Sequence, residues 1–113
     1  MDAHIKRVYV PMTEACFYIL LCLQRPAHGY GIVQQVRRLT GGELTLAPGT
    51  LYGVLTKAET DGLIRFVRLE ETRKLYQLTP LGQELLALEK RRIQRLYQSL
   101  QQAQGSLEDV PGG

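Results

Sequence analysis

The chain has no tryptophan and only two cysteines and two histidines among its 113 residues. Each shortage closes a route. His4 and His28 stand apart, with no paired carboxylates, nucleophile motif, metal-ligand cluster or phosphate-binding loop beside them. Catalysis, a metal site and a cofactor are therefore not expected. Cys16 and Cys22 share one apolar stretch but fall on different sides of a helix, so neither a disulfide nor a metal site follows. Their neighbours lack the positive charge that makes a thiol reactive. The longest uncharged apolar run, Ala15 to Leu23, falls well short of the roughly 20 residues that span a bilayer. The opening residues carry Asp2, Lys6 and Arg7 without the apolar core of a secretory signal. A cytoplasmic protein without a membrane partner is expected.

What is present fits one domain. Hydrophobic residues make up 44% of the chain, enough for a core, but a chain this short buries a limited share of its surface, which favours association with a second copy. The net charge of +3 and pI near 9.0 suit a phosphate-contacting surface without demanding one.

Periodicity gives the element order. Met12, Ala15, Cys16, Ile19, Leu20 and Leu23 recur in steps of three and four, with Thr13 as N-cap. Phe17, Tyr18, Leu21 and Cys22 make the other side of that helix apolar too, so it needs cover on both sides. A second helix is expected from Gly29 to Leu39, stopped by Thr40, Gly41 and Gly42. A third opens at Pro48, buries Leu51, Val54, Leu55 and Ala58, and ends at Gly62. Two short strands follow, Leu63 to Leu69 and Lys74 to Leu78, in which Leu75 breaks the alternation. The last helix starts with Thr79 as N-cap and Pro80 in its first turn and runs to about Gln104. Leu86, Ile93 and Leu100 recur along it every seventh residue, flanked by Leu96 and Tyr97.

This order predicts a mainly α fold with a small two-stranded β-wing (α+β): a winged helix-turn-helix plus a long dimerisation helix. Residues 1–79 would form the DNA-binding domain, 80–104 the dimerisation helix and 105–113 a disordered tail. In a helix-turn-helix the second helix of the pair enters the major groove, which takes a slim, non-anionic face. Thr50, Tyr52, Gly53, Thr56 and Lys57 give the third helix such a face. Arg65, Arg68, Arg73 and Lys74 form the basic set of the wing, diluted by Glu70 and Glu71, and Lys6 and Arg7 in a loose N-terminal arm are further phosphate candidates. Tyr52 reads equally well as a core aromatic with its hydroxyl at the rim. His28 reads as an anchor for the first turn of its helix.

His28-Gly29-Tyr30-Gly31-Ile32, Pro48-Gly49-Thr50-Leu51-Tyr52, Asp61-Gly62-Leu63-Ile64 and Tyr76, Leu78, Thr79 and Gly82 together resemble the PadR-like transcriptional regulators. The resemblance covers about Met12 to Leu100. It implies a homodimer that binds double-stranded DNA at a palindromic or pseudo-palindromic operator, usually as a repressor, with the Pro48 to Tyr52 segment opening the recognition helix. The chain departs from many relatives in placing Ala47, a poor cap, before that proline, with Thr45 as a substitute if the loop bends back. Relatives that hold flat drugs between tryptophans offer no model for a chain that has none.

Phe17, Leu21, Leu86, Ile93, Leu96, Tyr97 and Leu100 are the candidate dimerisation residues. Tyr9, Phe17, Tyr18 and Tyr97 could line a pocket for a small-molecule effector, against the plainer reading of dimer-core packing. A winged-helix adaptor that recruits a protein and not DNA is the alternative function.

Overall fold

A computed structural model describes residues 1–106 of the chain. It has five helices and one two-stranded sheet: α1 (Ala3–Tyr9), α2 (Glu14–Cys22), α3 (Gly29–Leu39), α4 (Pro48–Thr60), β1 (Ile64–Glu70), β2 (Arg73–Leu78) and α5 (Pro80–Ser106). The expected class and order are found, with one helix added at the front. The expected tail lies, past Ser106, outside the described residues, and residues 105 and 106 belong to α5.

Local chemistry explains most boundaries. Thr13 accepts from the Cys16 N–H at 3.1 Å and opens α2. Thr79 does the same for α5, accepting from the Gly82 N–H at 3.1 Å. The His28 imidazole, through Nδ1, caps α3 by accepting from the Gly31 N–H at 3.1 Å. Helix α4 ends in a Schellman motif: the Leu63 N–H bonds to the Ala58 carbonyl and the Gly62 N–H to that of Glu59. Gly62 takes φ +77° there, which a side chain would strain.

Helix α1 corrects the expectation of a loose arm. Asp2 caps it by accepting from the His4 N–H at 2.8 Å, and Ile5 and Tyr9, one turn apart, bury their side chains. Lys6 and Arg7 thus sit in the last turn of a docked helix, where cations suit the helix dipole. Thr45 does not rescue α4, which begins with no side-chain cap at Ala47.

The strands pair antiparallel, with Ile64 opposite Leu78 and Phe66 opposite Tyr76. The register then shifts, so that Arg68 faces Leu75 and Val67 is the extra residue of a bulge. The shift accounts for Leu75: the residue that breaks the alternation is buried. The ribbon is fastened at its base, where Ala27 and Tyr76 exchange both backbone hydrogen bonds at 2.9 and 3.0 Å.

One core gathers Ile19, Leu20 and Leu23 of the α2 region, Ile32 and Val36 of α3, Leu51, Leu55 and Ala58 of α4, and Leu85 and Leu86 of α5. Glu89 is the one charged side chain buried with them among the described residues. Beyond it α5 leaves the core, and Ile93, Leu96, Tyr97 and Leu100 are exposed.

Candidate nucleic-acid interface

Helix α4 turns Leu51, Leu55 and Ala58 inward, which leaves Thr50, Gly53, Thr56 and Lys57 outside. Tyr52 is 57% exposed, so the core-aromatic alternative does not hold. Its ring lies along α3; a Cβ built on Gly29 would meet the Tyr52 hydroxyl at 3.0 Å. All five positions are exposed, with the carboxylates of Glu59 and Asp61 to either side of them.

The wing stands beside the Tyr52 flank of α4. Between them is an open cleft of about 380 Å³, lined by Tyr52, Thr56, Glu59, Arg73, Lys74 and the start of α3. The basic residues there differ in how they are held. Arg73 lies over the Tyr30 ring, 5.3 Å from its centroid, and points one guanidinium nitrogen at His28 Nε2, 3.3 Å away. Arg68 pairs with Glu70 at 3.6 Å. Arg65 and Lys74 are exposed and make no ion pair among the described residues. Among the described residues three wing cations thus keep their charge unpaired by a carboxylate, and the dilution by glutamate falls on Arg68.

On the opposite flank of α4 lies an arrangement that the sequence does not reveal. The Tyr9 hydroxyl donates to Asp61 Oδ2 at 2.6 Å, and Lys57 Nζ reaches the same oxygen at 3.3 Å. The Lys57 ammonium also sits 5.4 Å from the centroid of the Tyr9 ring. The Tyr9 bond, with Lys57 adding to it, holds the Asp61 carboxyl below the usual range, and burial followed by the Asp61 charge pushes the Tyr9 hydroxyl up. An Asp2 cap followed by apolar residues at positions 5 and 9 was the available signal for α1.

The other candidate positions are spread. Leu86 is 2% exposed in the core of its own chain, Phe17 and Leu21 are half-buried, and only the residues from Ile93 onward face out. Phe17 and Tyr18 meet edge to face at 5.9 Å. Tyr9 is committed to Asp61 and lines a separate cavity of about 200 Å³ with Met12, Cys16 and Val54. Burial, with Glu89 nearby, pushes the Cys16 thiol up to about 11, and burial raises that of Cys22, so neither is a ready thiolate at neutral pH. Among the described residues no group of three or more His, Cys, Asp or Glu is placed to hold a metal, and no helix is long and apolar enough to cross a membrane.

Comparison with known proteins agrees with this architecture. A PadR family transcription regulator from Clostridium difficile superposes with a TM-score of 0.69 at 28% identity, over 80% of this chain and 97% of that one. PadR of Bacillus subtilis, solved in complex with operator DNA, superposes with a TM-score of 0.56 at 26% identity, over 64% of this chain and 44% of that one. An uncharacterised 37.1 kDa protein of a Streptomyces fradiae transposon is 37% identical over 71 residues, 63% of this chain; the chain spans only 20% of that protein's length. The model of the PadR-like transcriptional regulators matches residues 19–88, from within α2 to within α5. The chain therefore belongs to the PadR-like family of transcriptional regulators.

Proposed function

We propose that the chain is a cytoplasmic repressor that binds double-stranded operator DNA as a homodimer. The observation that carries this reading is the outward face of α4, slim and hydroxylated with Glu59 and Asp61 only at its edges, beside a wing whose Arg65 and Lys74 make no ion pair among the described residues. Thr50, Tyr52, Gly53 and Thr56 meet the major groove; Arg65, Arg68, Arg73 and Lys74 meet backbone or minor groove; Lys6 and Arg7 reach flanking phosphates from α1. The operator complex of the Bacillus subtilis relative supports the use of this fold on DNA.

Residues 1–79 make up the DNA-binding unit, and α5 from residue 80 carries pairing. Ile93, Leu96, Tyr97 and Leu100, an exposed apolar stripe, supply the seam together with Phe17 and Leu21 of α2. Pairing would set two recognition helices about 34 Å apart, one turn of DNA. An effector that releases the operator would enter at this seam, beside Phe17, Tyr18 and Tyr97.

The test is a salt titration of binding to duplex carrying the protein's own promoter. Binding should weaken steeply with salt, and Lys74→Ala should reduce the slope by roughly 0.9, one phosphate contact. A protein that binds no duplex but holds a stable protein partner would overturn this reading in favour of an adaptor.

A further inference from the structure

We propose that Tyr9 and Asp61 are positioning residues that restrain Lys57, so that affinity for DNA is set partly by a contest between Asp61 and a backbone phosphate for one ammonium group. The inference rests on the DNA-binding reading above and concerns the end of α4 that faces α1. Tyr9 lies outside the segment matched by the family model, residues 19–88. The restraint therefore joins a helix of this chain outside that segment to the recognition helix inside it.

Three contacts close on one another. Asp61 Oδ2 accepts from the Tyr9 hydroxyl at 2.6 Å and from Lys57 Nζ at 3.3 Å, and the ammonium lies 5.4 Å from the centroid of the Tyr9 ring. Tyr9 is 6% exposed, so its ring is a fixed wall, and the Asp61 side chain is 22% exposed against 56% for Lys57. The carboxylate is thus the anchored member and the lysine the movable one. Lysine suits this part because its ammonium is a point charge on a flexible stem that can change partners. While Lys57 is paired, its charge is cancelled locally and adds little to the field that draws phosphate. Reaching a phosphate requires it to leave Asp61 and the Tyr9 ring. An exposed pair spaced by four residues is weak, so the restraint tunes affinity and does not abolish binding.

The experiment measures affinity of the full chain for a random-sequence duplex across a salt series, since a phosphate contact carries no sequence information. Asp61→Asn keeps an acceptor for Tyr9 and the backbone of the helix end while removing the charge. It should tighten binding by about two- to fivefold at low salt and steepen the salt slope by roughly 0.9, one added phosphate. Tyr9→Phe, which frees the carboxylate to swing away, should move both quantities in the same direction by less. In a Lys57→Ala background the Asp61→Asn gain should fall to less than half on a logarithmic scale.

An unchanged slope in Asp61→Asn, or an equal gain in both backgrounds, would overturn the proposal, because the effect would then not pass through Lys57. Wild-type protein that binds no duplex at any salt would remove the DNA-binding reading itself and this inference with it. A shift in thermal midpoint without a change in slope would mark a purely structural contact and count against the proposal.

Discussion

The carboxylate of Glu89 on α5 accepts a hydrogen bond from the backbone N–H of Met12, 77 residues earlier in the chain. Arg92 closes over the same carboxylate, with Nε 2.6 Å from Oε2 and Nη2 3.2 Å from Oε1. A buried charge survives here because both oxygens are satisfied. The pair fastens the segment between α1 and α2 to the helix proposed to carry pairing.

Glu89→Leu should cost about 2 kcal/mol in chemical denaturation, since it leaves the Met12 amide without its acceptor. The pH dependence follows from the direction of the shift. Burial raises the Glu89 carboxyl, but the bonds from Arg92 and Met12 outweigh it and hold it below the ordinary glutamate range. A carboxyl lowered by folding contributes stability that is present above its unfolded range and lost as pH falls through its folded value. Wild type should therefore lose more stability than Glu89→Leu on acidification, and the two denaturation midpoints should converge at low pH.

Gly82 stands in the first turn of α5, where the helix crosses the strand start. A Cβ on it would lie 2.1 Å from the Leu63 carbonyl oxygen and 3.1 Å from Leu78 Cδ2. Backbone cannot step aside as a flexible side chain can, so Gly82→Ala should destabilise by about 3 kcal/mol, although alanine favours helices. A thermal midpoint equal to wild type would contradict this packing.

Ala47→Ser should stabilise the protein. Ala47 already has the extended backbone of an N-cap, φ −70° and ψ 147°, but no side-chain acceptor for the first turn of α4. A serine hydroxyl in that place is worth about 1 kcal/mol, or roughly 4–8 °C in Tm for a domain of this size. Differential scanning calorimetry reads it directly.

Ile93→Asp tests the seam. Ile93 is 37% exposed on a single chain, so the substitution should leave the monomer folded while placing an uncompensated charge in the proposed pairing surface. Sedimentation velocity should show a dimer for wild type and a monomer of native circular dichroism for the variant. A variant that still sediments as a dimer would move the seam elsewhere.

Local signals marked what they govern. The caps at Thr13 and Thr79, the glycine after α4 and the proline opening it each act within a few residues, so those helices were legible. Tyr52 and Thr56 lie exposed on α4 where the amphipathic pattern put them, because the inward stripe of a helix fixes its outward face. Helix α1 was missed for the converse reason. Seven residues with two apolar anchors are too few to hold a helix by propensity, and burial of Ile5 and Tyr9 stabilises it only once the rest has folded.

The sequence by itself determined the order of elements from α2 onward and the outward face of α4, since both follow from spacing along the chain, while the identity of its motif residues carried the resemblance to the family. The tertiary structure alone decided that Lys57 meets Asp61 and Tyr9, that Glu89 is buried, and that Leu86 belongs to the core of its own chain while Ile93 faces outward. A heptad shows which side chains share a stripe, but not which body covers it. That depends on where distant segments come to rest, and such contacts leave no trace in local periodicity.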